Sequence, residues 1–420
     1  MTERLLQYIW QFQYFNVKEL LTTDGEILQV IHPGNYNTNQ GPDFTDAKIK
    51  IGNTTWAGSI ELHVNGADWN NHKHSDDSNY KNVILHVVWR EDNKLKLSFP
   101  TLVLQDKVPK LLLNRYDELM HAGSFIPCEK SIGQINDITW ASWKERLLVE
   151  RLQKKTKLIF DHLGKNNLHW EETLWWLLAR NFGIKLNAEA FEKTAQSIPL
   201  NVLAKQKNQL HQVEALLFGQ AGLLDRTFQE DYPKLLQREY QFLKKKYNLQ
   251  KTAVKLFFLR MRPSNFPTLR LAQLAILVHE SLHLFSKIKE SDKLADVKKL
   301  LKVTANDYWH YHYLFEETSA FKKKTLGAQM IDNILINTVI PVLFAYGRHQ
   351  DENRYKDKAL KWLEQVSAEK NAITRGFSAL QVQNKTAFDS QALIELKNEY
   401  CNYKRCLDCT IGNKLLKEPV

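Results

Sequence analysis

The sequence predicts an α+β unit with a mixed sheet over residues 1–130, followed by a large all-α domain over residues 131–420. Three observations carry that expectation. Between Ile27 and Leu104, apolar side chains recur every second residue in short runs parted by turn residues. From about Asn136 onward the period lengthens to that of amphipathic helices, and strand signals nearly vanish. One apolar helix precedes the first strand, so the early order reads helix, strand, strand, strand, irregular link, strand.

The first helix is expected over Glu3 to Phe15, where Leu5, Leu6, Ile9, Trp10, Phe12 and Phe15 recur at near-helical spacing behind Thr2 as N-cap. Asp24-Gly25 turns the chain into a strand over Ile27 to Ile31, and His32-Pro33-Gly34 with the Asn-rich run to Gln40 reads as loop. Ala47 to Ile51 and the run through Trp56, Ile60, Leu62 and Val64 form two strands joined by a turn at Gly52-Asn53. Residues Gly66 to Lys81 are polar and lack a period. Val83 to Trp89 is a buried strand and Lys94 to Leu104 an alternating one. Helices are then expected at Trp140 to Phe160, Trp170 to Asn181, Ala188 to Ala195, Val202 to Ala221, Tyr232 to Tyr247, Thr268 to Lys289, Ser319 to Tyr346 and Asp357 to Glu369.

Lys plus Arg outnumber Asp plus Glu, 58 to 47, for a net charge of +11, a balance that favours acidic partners such as nucleic acid. The chain shows no signal peptide, and no uninterrupted apolar stretch approaches the ~20 residues of a membrane helix. It reads as cytoplasmic and not membrane-bound. Its four cysteines are then thiols or metal ligands rather than a disulfide framework.

Chemistry concentrates between Asn39 and Trp89. Five of the fourteen histidines fall between His32 and His86. Glu61 and His63 stand two apart on one strand and so share a face, with Asp43 one hairpin away. Carboxylates on adjacent strands can converge on Mg²⁺ or Mn²⁺, which polarises a phosphate and activates water; equally, Glu61 and His63 can line the solvated face of a half-exposed sheet. His72, His74 and Asp77 are candidates for a second metal site or proton relay, and His86 for a hydrogen-bonded core histidine behind them. Asp68-Trp69 suits a capped turn.

Pro42-Asp43 followed by Glu61-Leu62-His63, in this order of elements, resembles the PD-(D/E)XK nuclease superfamily. The resemblance implies a nuclease-like core in which Asp43 and Glu61 hold the metal and Glu3 assists. His63 stands where that superfamily usually places Lys. The longer string Gly41-Pro42-Asp43-Phe44, Gly58 to His63, Asp68-Trp69, His72-Lys73-His74, Asp77, Tyr80 and Val83 to Val88, with Arg262 to Pro267 and the terminal cysteines, resembles a bacterial family catalogued as domain of unknown function 2851.

Two further motifs compete. Val278-His279-Glu280-Ser281-Leu282-His283 contains H-E-x-x-H, which on a helix puts His279 and His283 on one face to hold Zn²⁺ while Glu280 activates water. The third ligand would come from Glu316, Glu317, His310 or His312; the alternative is an amphipathic helix with boundary histidines. Arg262 and Arg270 flank a Pro-bounded loop and can clamp phosphates or pin the loop. The runs 244–246 and 322–324, each three lysines, read as solvated helix faces.

Cys401, Cys406 and Cys409 form C-x₄-C-x₂-C, and Cys128 completes a four-thiolate set for Zn²⁺ or an iron–sulfur cluster; the alternative is unligated thiols. Some PD-(D/E)XK exonucleases are similar in using one distant and three clustered cysteines. The sequence thus predicts a metal-dependent nuclease acting through Asp43, Glu61 and His63. The rival expectations are a non-catalytic nucleic-acid-binding or scaffold protein and a zinc protease.

Overall fold

The structure is a computed structural model that describes residues 1–92, 97–250, 252–281 and 283–417, the side chain of Asp76 excepted. It forms two compact units, Met1–Trp143 with Leu396–Val420, and Lys144–Glu395. The first unit thus runs past the expected boundary and takes in the cysteine-bearing C-terminal stretch, which the sequence assigned to the helical domain. Burial is the reason: Cys406 and Leu416 share one apolar cluster with Leu5, Ile9, Ile60 and Val87.

In the first unit, helix α1 (Glu3–Gln11) starts where Thr2 accepts the Leu5 N–H at 3.2 Å, and it buries Leu5, Leu6, Ile9 and Trp10. Among the described residues seven strands follow: β1 (Leu20–Leu21), β2 (Ile27–His32), β3 (Asn35–Tyr36), β4 (Phe44–Ile51), β5 (Thr54–Asn65), β6 (Val83–Arg90) and β7 (Thr101–Val103). They make one mixed sheet in the order β1-β2-β4-β5-β6-β7, with β3 paired to β4. Pairing is antiparallel up to β5 and parallel from β5 through β7. A short helix, α2 (Asp68–Asn71), and two 3₁₀ turns supply the crossover between β5 and β6 that parallel pairing demands. Among the described residues of the strand expected over Lys94 to Leu104, Thr101–Val103 is strand; residues 94–96 lie outside them. Helix α3 (Lys110–His121) follows, and α4 (Asp137–Lys165) begins in this unit and continues as the first helix of the second.

Gly58 allows the crossover to close onto the sheet. A Cβ there would meet the Asn82 carbonyl oxygen and Ile84 Cγ2 at 2.5 Å, and the Ser59 N–H donates to that same Asn82 carbonyl at 2.8 Å.

Among its described residues the second unit is mostly helical and carries a two-stranded hairpin, His312–Leu314 with Glu317–Thr318. Three expected helices are broken. Val202 to Ala221 divides into Leu200–Gln206 and Leu210–Gln220. Ser319 to Tyr346 begins only at Ala328, because residues 319–326 are not helical and the Ser319, Lys322 and Leu326 N–H groups bond instead to the Tyr311, His310 and Val303 carbonyls. Thr268 to Lys289 ends at Glu280 and resumes at Leu284. Within the second of these, Ala328–His349 is long and apolar enough to cross a membrane, but 72% of that window is buried inside the protein, which marks it as a core helix.

Candidate metal centre

The hairpin register sets Asp43 beside Glu61. Counting back from the Ala47–Gly58 pair without interruption would bring Phe44 opposite Glu61. A bulge between Phe44 and Ala47, with Asp46 at φ 57°, brings Phe44 opposite Ile60 instead. The two acids then lock together: the Asp43 N–H donates to Glu61 Oε2 at 3.0 Å, and the Leu62 N–H donates to Asp43 Oδ2 at 3.1 Å. Gln7 of α1 donates to Asp43 Oδ1 at 2.8 Å.

The other Glu61 oxygen faces imidazoles. Its Oε1 lies 3.6 Å from His63 Nε2 and 3.4 Å from His74 Nε2. His63 Nε2 is 3.2 Å from His72 Nδ1, and His63 Nδ1 is 2.8 Å from His86 Nε2. Ligand atoms of His63, His72 and His74 all lie within 4.8 Å of one another, and His74 Nε2 is buried without a hydrogen-bond partner. His72 and His74 meet not along an extended run but around a reversal, since Lys73 between them adopts φ 58°. The β5–β6 register pairs Glu61 with His86, which puts His86 directly behind the nest.

Electrostatics mark a site short of positive charge. Burial, then repulsion from Glu3, raises the Asp43 carboxyl well above the carboxylate range; burial, then Asp43, raises Glu61 further. Glu3 is itself raised by burial. Burial and the neighbouring imidazoles push His63 down to about 3 and His86 down to about 4, so both are neutral near pH 7. Neutral imidazoles and crowded carboxylates make a donor set that a divalent cation fits.

The remaining predicted residues divide. Asp77 is exposed and caps the Ser78–Tyr80 turn through the Asn79 N–H at 2.9 Å, outside the nest. Asp68 opens α2, which has no side-chain cap, so the capped turn expected there does not form; it accepts instead from the Asn65 and Asn71 amides, and Trp69 beside it is 2% exposed. Gln7 is absent from the sequence expectations, and Tyr80 enters them only through the family resemblance. Gln7 is a polar residue on the buried side of α1, a signal the sequence does contain; Tyr80 stacks on His74 with ring centroids 3.9 Å apart, and no periodicity or spacing in the sequence marks that contact.

The protease motif does not assemble. The helix ends at Glu280, Ser281 is extended, and His283 adopts φ 55°, so His279 and His283 share no helical face; Leu282 lies outside the described residues. The break has tertiary causes: His279 Nδ1 meets the Lys207 carbonyl, and the Glu171 carboxylate takes the Phe285 N–H at 3.1 Å. The suggested third ligands are engaged elsewhere or exposed. Glu316 takes the Gln229 and Glu230 N–H groups, His312 Nδ1 meets the Tyr308 carbonyl, His310 faces Asp307, and Glu317 is exposed.

Of the two arginines, Arg262 is exposed. Arg270 is buried and bonds Asn265 and Gln273, pinning the loop instead of presenting to phosphate. Lys245 and Lys246 are exposed at a helix C-terminus, where cations suit the dipole. The run 322–324 is not helical, and Lys324 is buried over the Tyr313 ring.

Over residues 3–372 the chain matches the family described as "Protein of unknown function (DUF2851)", and it belongs to that family. The matched stretch holds the whole histidine nest and Cys128 but stops before Cys401. No curated protein and no solved structure matches the chain.

Proposed function

We propose that the first unit is a metal-dependent phosphodiesterase of the nuclease kind, acting on nucleic acid. The observation that carries this reading is the position of Glu61. One of its oxygens is fixed by the Asp43 backbone and the other faces the unpartnered His74 Nε2. Glu61, His63, His72 and His74 would hold the cation, with Asp43 and Glu3 supplying the adjoining negative charge. A bound divalent metal would polarise the phosphate and lower the pKa of a water. Imidazole among the ligands favours Mn²⁺ over Mg²⁺.

His86 orients His63. When His63 Nδ1–H donates to His86 Nε2, the lone pair of His63 Nε2 is left facing Glu61 and His72. His63 is thus a ligand or base, not the fixed positive charge of a lysine. The PD-(D/E)XK-like reading of the core is supported by α1 leading an antiparallel β2-β4-β5 meander, with β6 parallel to β5 across a short crossover. The basic balance suits a polyanionic substrate, and four free thiols suit a reducing, cytoplasmic compartment.

Purified protein is expected to cleave single- or double-stranded DNA or RNA with Mn²⁺, and Asp43→Ala or Glu61→Ala to reduce the rate at least 100-fold. Salt-sensitive binding without cleavage by wild-type protein, with Mn²⁺, Mg²⁺ or Zn²⁺, would instead establish the non-catalytic nucleic-acid-binding reading.

A further inference from the structure

A second site lies apart from the histidine nest. Cys128 follows α3, whereas Cys401, Cys406 and Cys409 come after the entire second unit, yet all four belong to the first. Cys128 packs against the core cluster that contains Cys406. All four are free, and Cys406 and Cys409 are each 7% exposed. Burial first, and then the neighbouring thiols, raise Cys128, Cys401 and Cys406 above the ordinary cysteine value.

The backbone around the triplet is built to turn tightly. The Cys409 N–H donates to the Cys406 carbonyl at 3.3 Å, and Asn413 Nδ2 donates to the Leu407 and Cys409 carbonyls at 2.8 and 3.0 Å. A Cβ at Gly412 would fall 2.3 Å from the Cys406 carbonyl oxygen, so only glycine lets the final helix close over this turn.

Separation of the sulfurs discriminates between occupants. A single Zn²⁺ with Zn–S bonds of about 2.3 Å draws its four sulfurs to about 3.8 Å from one another. Among the described residues, three or more ligand atoms lie mutually within 4.8 Å only in the nest of His63, His72 and His74. Among the described residues no three cysteine sulfurs lie mutually within 4.8 Å, a wider spacing than one Zn²⁺ imposes. C-x₄-C-x₂-C with one remote cysteine is also a spacing that iron–sulfur proteins use.

We propose that Cys128, Cys401, Cys406 and Cys409 bind an iron–sulfur cluster that staples the C-terminal segment to the sheet unit across the inserted residues 144–395. The test is full-length protein purified without oxygen and analysed for iron, acid-labile sulfide and zinc. Iron and sulfide in equal amounts, at two or more per chain, with broad visible absorption, are expected. In Cys128→Ala and Cys406→Ala the iron should fall at least tenfold. Zinc at one per chain without sulfide, no metal at all, or iron unchanged in both variants would overturn the proposal. Because the wild-type measurement requires no variant, a cysteine variant that fails to fold leaves the test intact. Cluster content and Mn²⁺-dependent cleavage are read separately, so the failure of one does not decide the other.

Discussion

Glu61 carries two opposed duties. Its carboxylate is 4% exposed and crowded by Asp43, which is why its proton is held more tightly than in an unfolded chain. A carboxyl raised in the folded state weakens folding as pH climbs. Below its ordinary value of 4.5 both states are protonated and nothing is lost; above it the unfolded chain releases a proton that the folded chain retains. Metal-free wild type should therefore lose stability from about pH 4.5 upward. Glu61→Gln, which keeps an oxygen for the Asp43 N–H, should lose less. At pH 7.5 the metal-free variant should be more stable by on the order of 2 kcal/mol, or several degrees in Tm. Mn²⁺ should raise the Tm of wild type and not of the variant. Thermal melts at several pH values, with and without Mn²⁺, check both signs. A variant less stable than wild type when metal-free would refute the account of a strained, cation-seeking carboxylate.

Among elements, the interrupted helix at Glu280 shows how far a short motif can mislead. H-E-x-x-H implies a face only if the helix continues, and here Glu171 and Lys207 offer partners that end it. His283 occupies the left-handed region, φ 55°, which disfavours side chains with a Cβ. His283→Gly is expected to leave stability within about 1 kcal/mol of wild type, relief of backbone strain offsetting the added chain entropy. It should also leave the zinc content of the purified protein unchanged. Denaturant titration and metal analysis would expose a ligand role through a large loss in either. The β4–β5 hairpin is the opposite case, because its single bulge converts a Phe44–Glu61 pairing into an Asp43–Glu61 one and thereby creates the acidic pair.

For the molecule as a whole, the C-terminal stretch is part of the sheet unit. Arg4 of α1 pairs with Asp408 at 2.6 Å, and Leu416 is 2% exposed within the cluster that holds α1 to the sheet. Ending the chain after residue 395 removes those core groups, and buried leucine-sized losses alone cost about 2–5 kcal/mol each. In the truncated chain, amides of β5 and β6 should lose most of their hydrogen-exchange protection. Those of the helix Trp170–Phe182 in the second unit should keep theirs. Equal loss in both, or none in β5 and β6, would contradict the division into units.

The order of elements, the mixed α+β start and the helical remainder were legible because they rest on local periodicity, which each segment carries whatever surrounds it. The shared face of Glu61 and His63 followed from strand parity alone, and His86 from its place inside an apolar strand. The bulge at Asp46, the reversal at Lys73 that turns His72 and His74 onto His63, and the break after Glu280 have no periodic signature. Each depends on a backbone geometry stabilised by partners distant in sequence. Likewise, the spacing of four cysteines could suggest a common ligand set, but it could not assign their segment to the sheet unit. That assignment follows from apolar burial between residues some 400 positions apart, such as Leu5 and Leu416, a long-range free energy that local sequence does not encode.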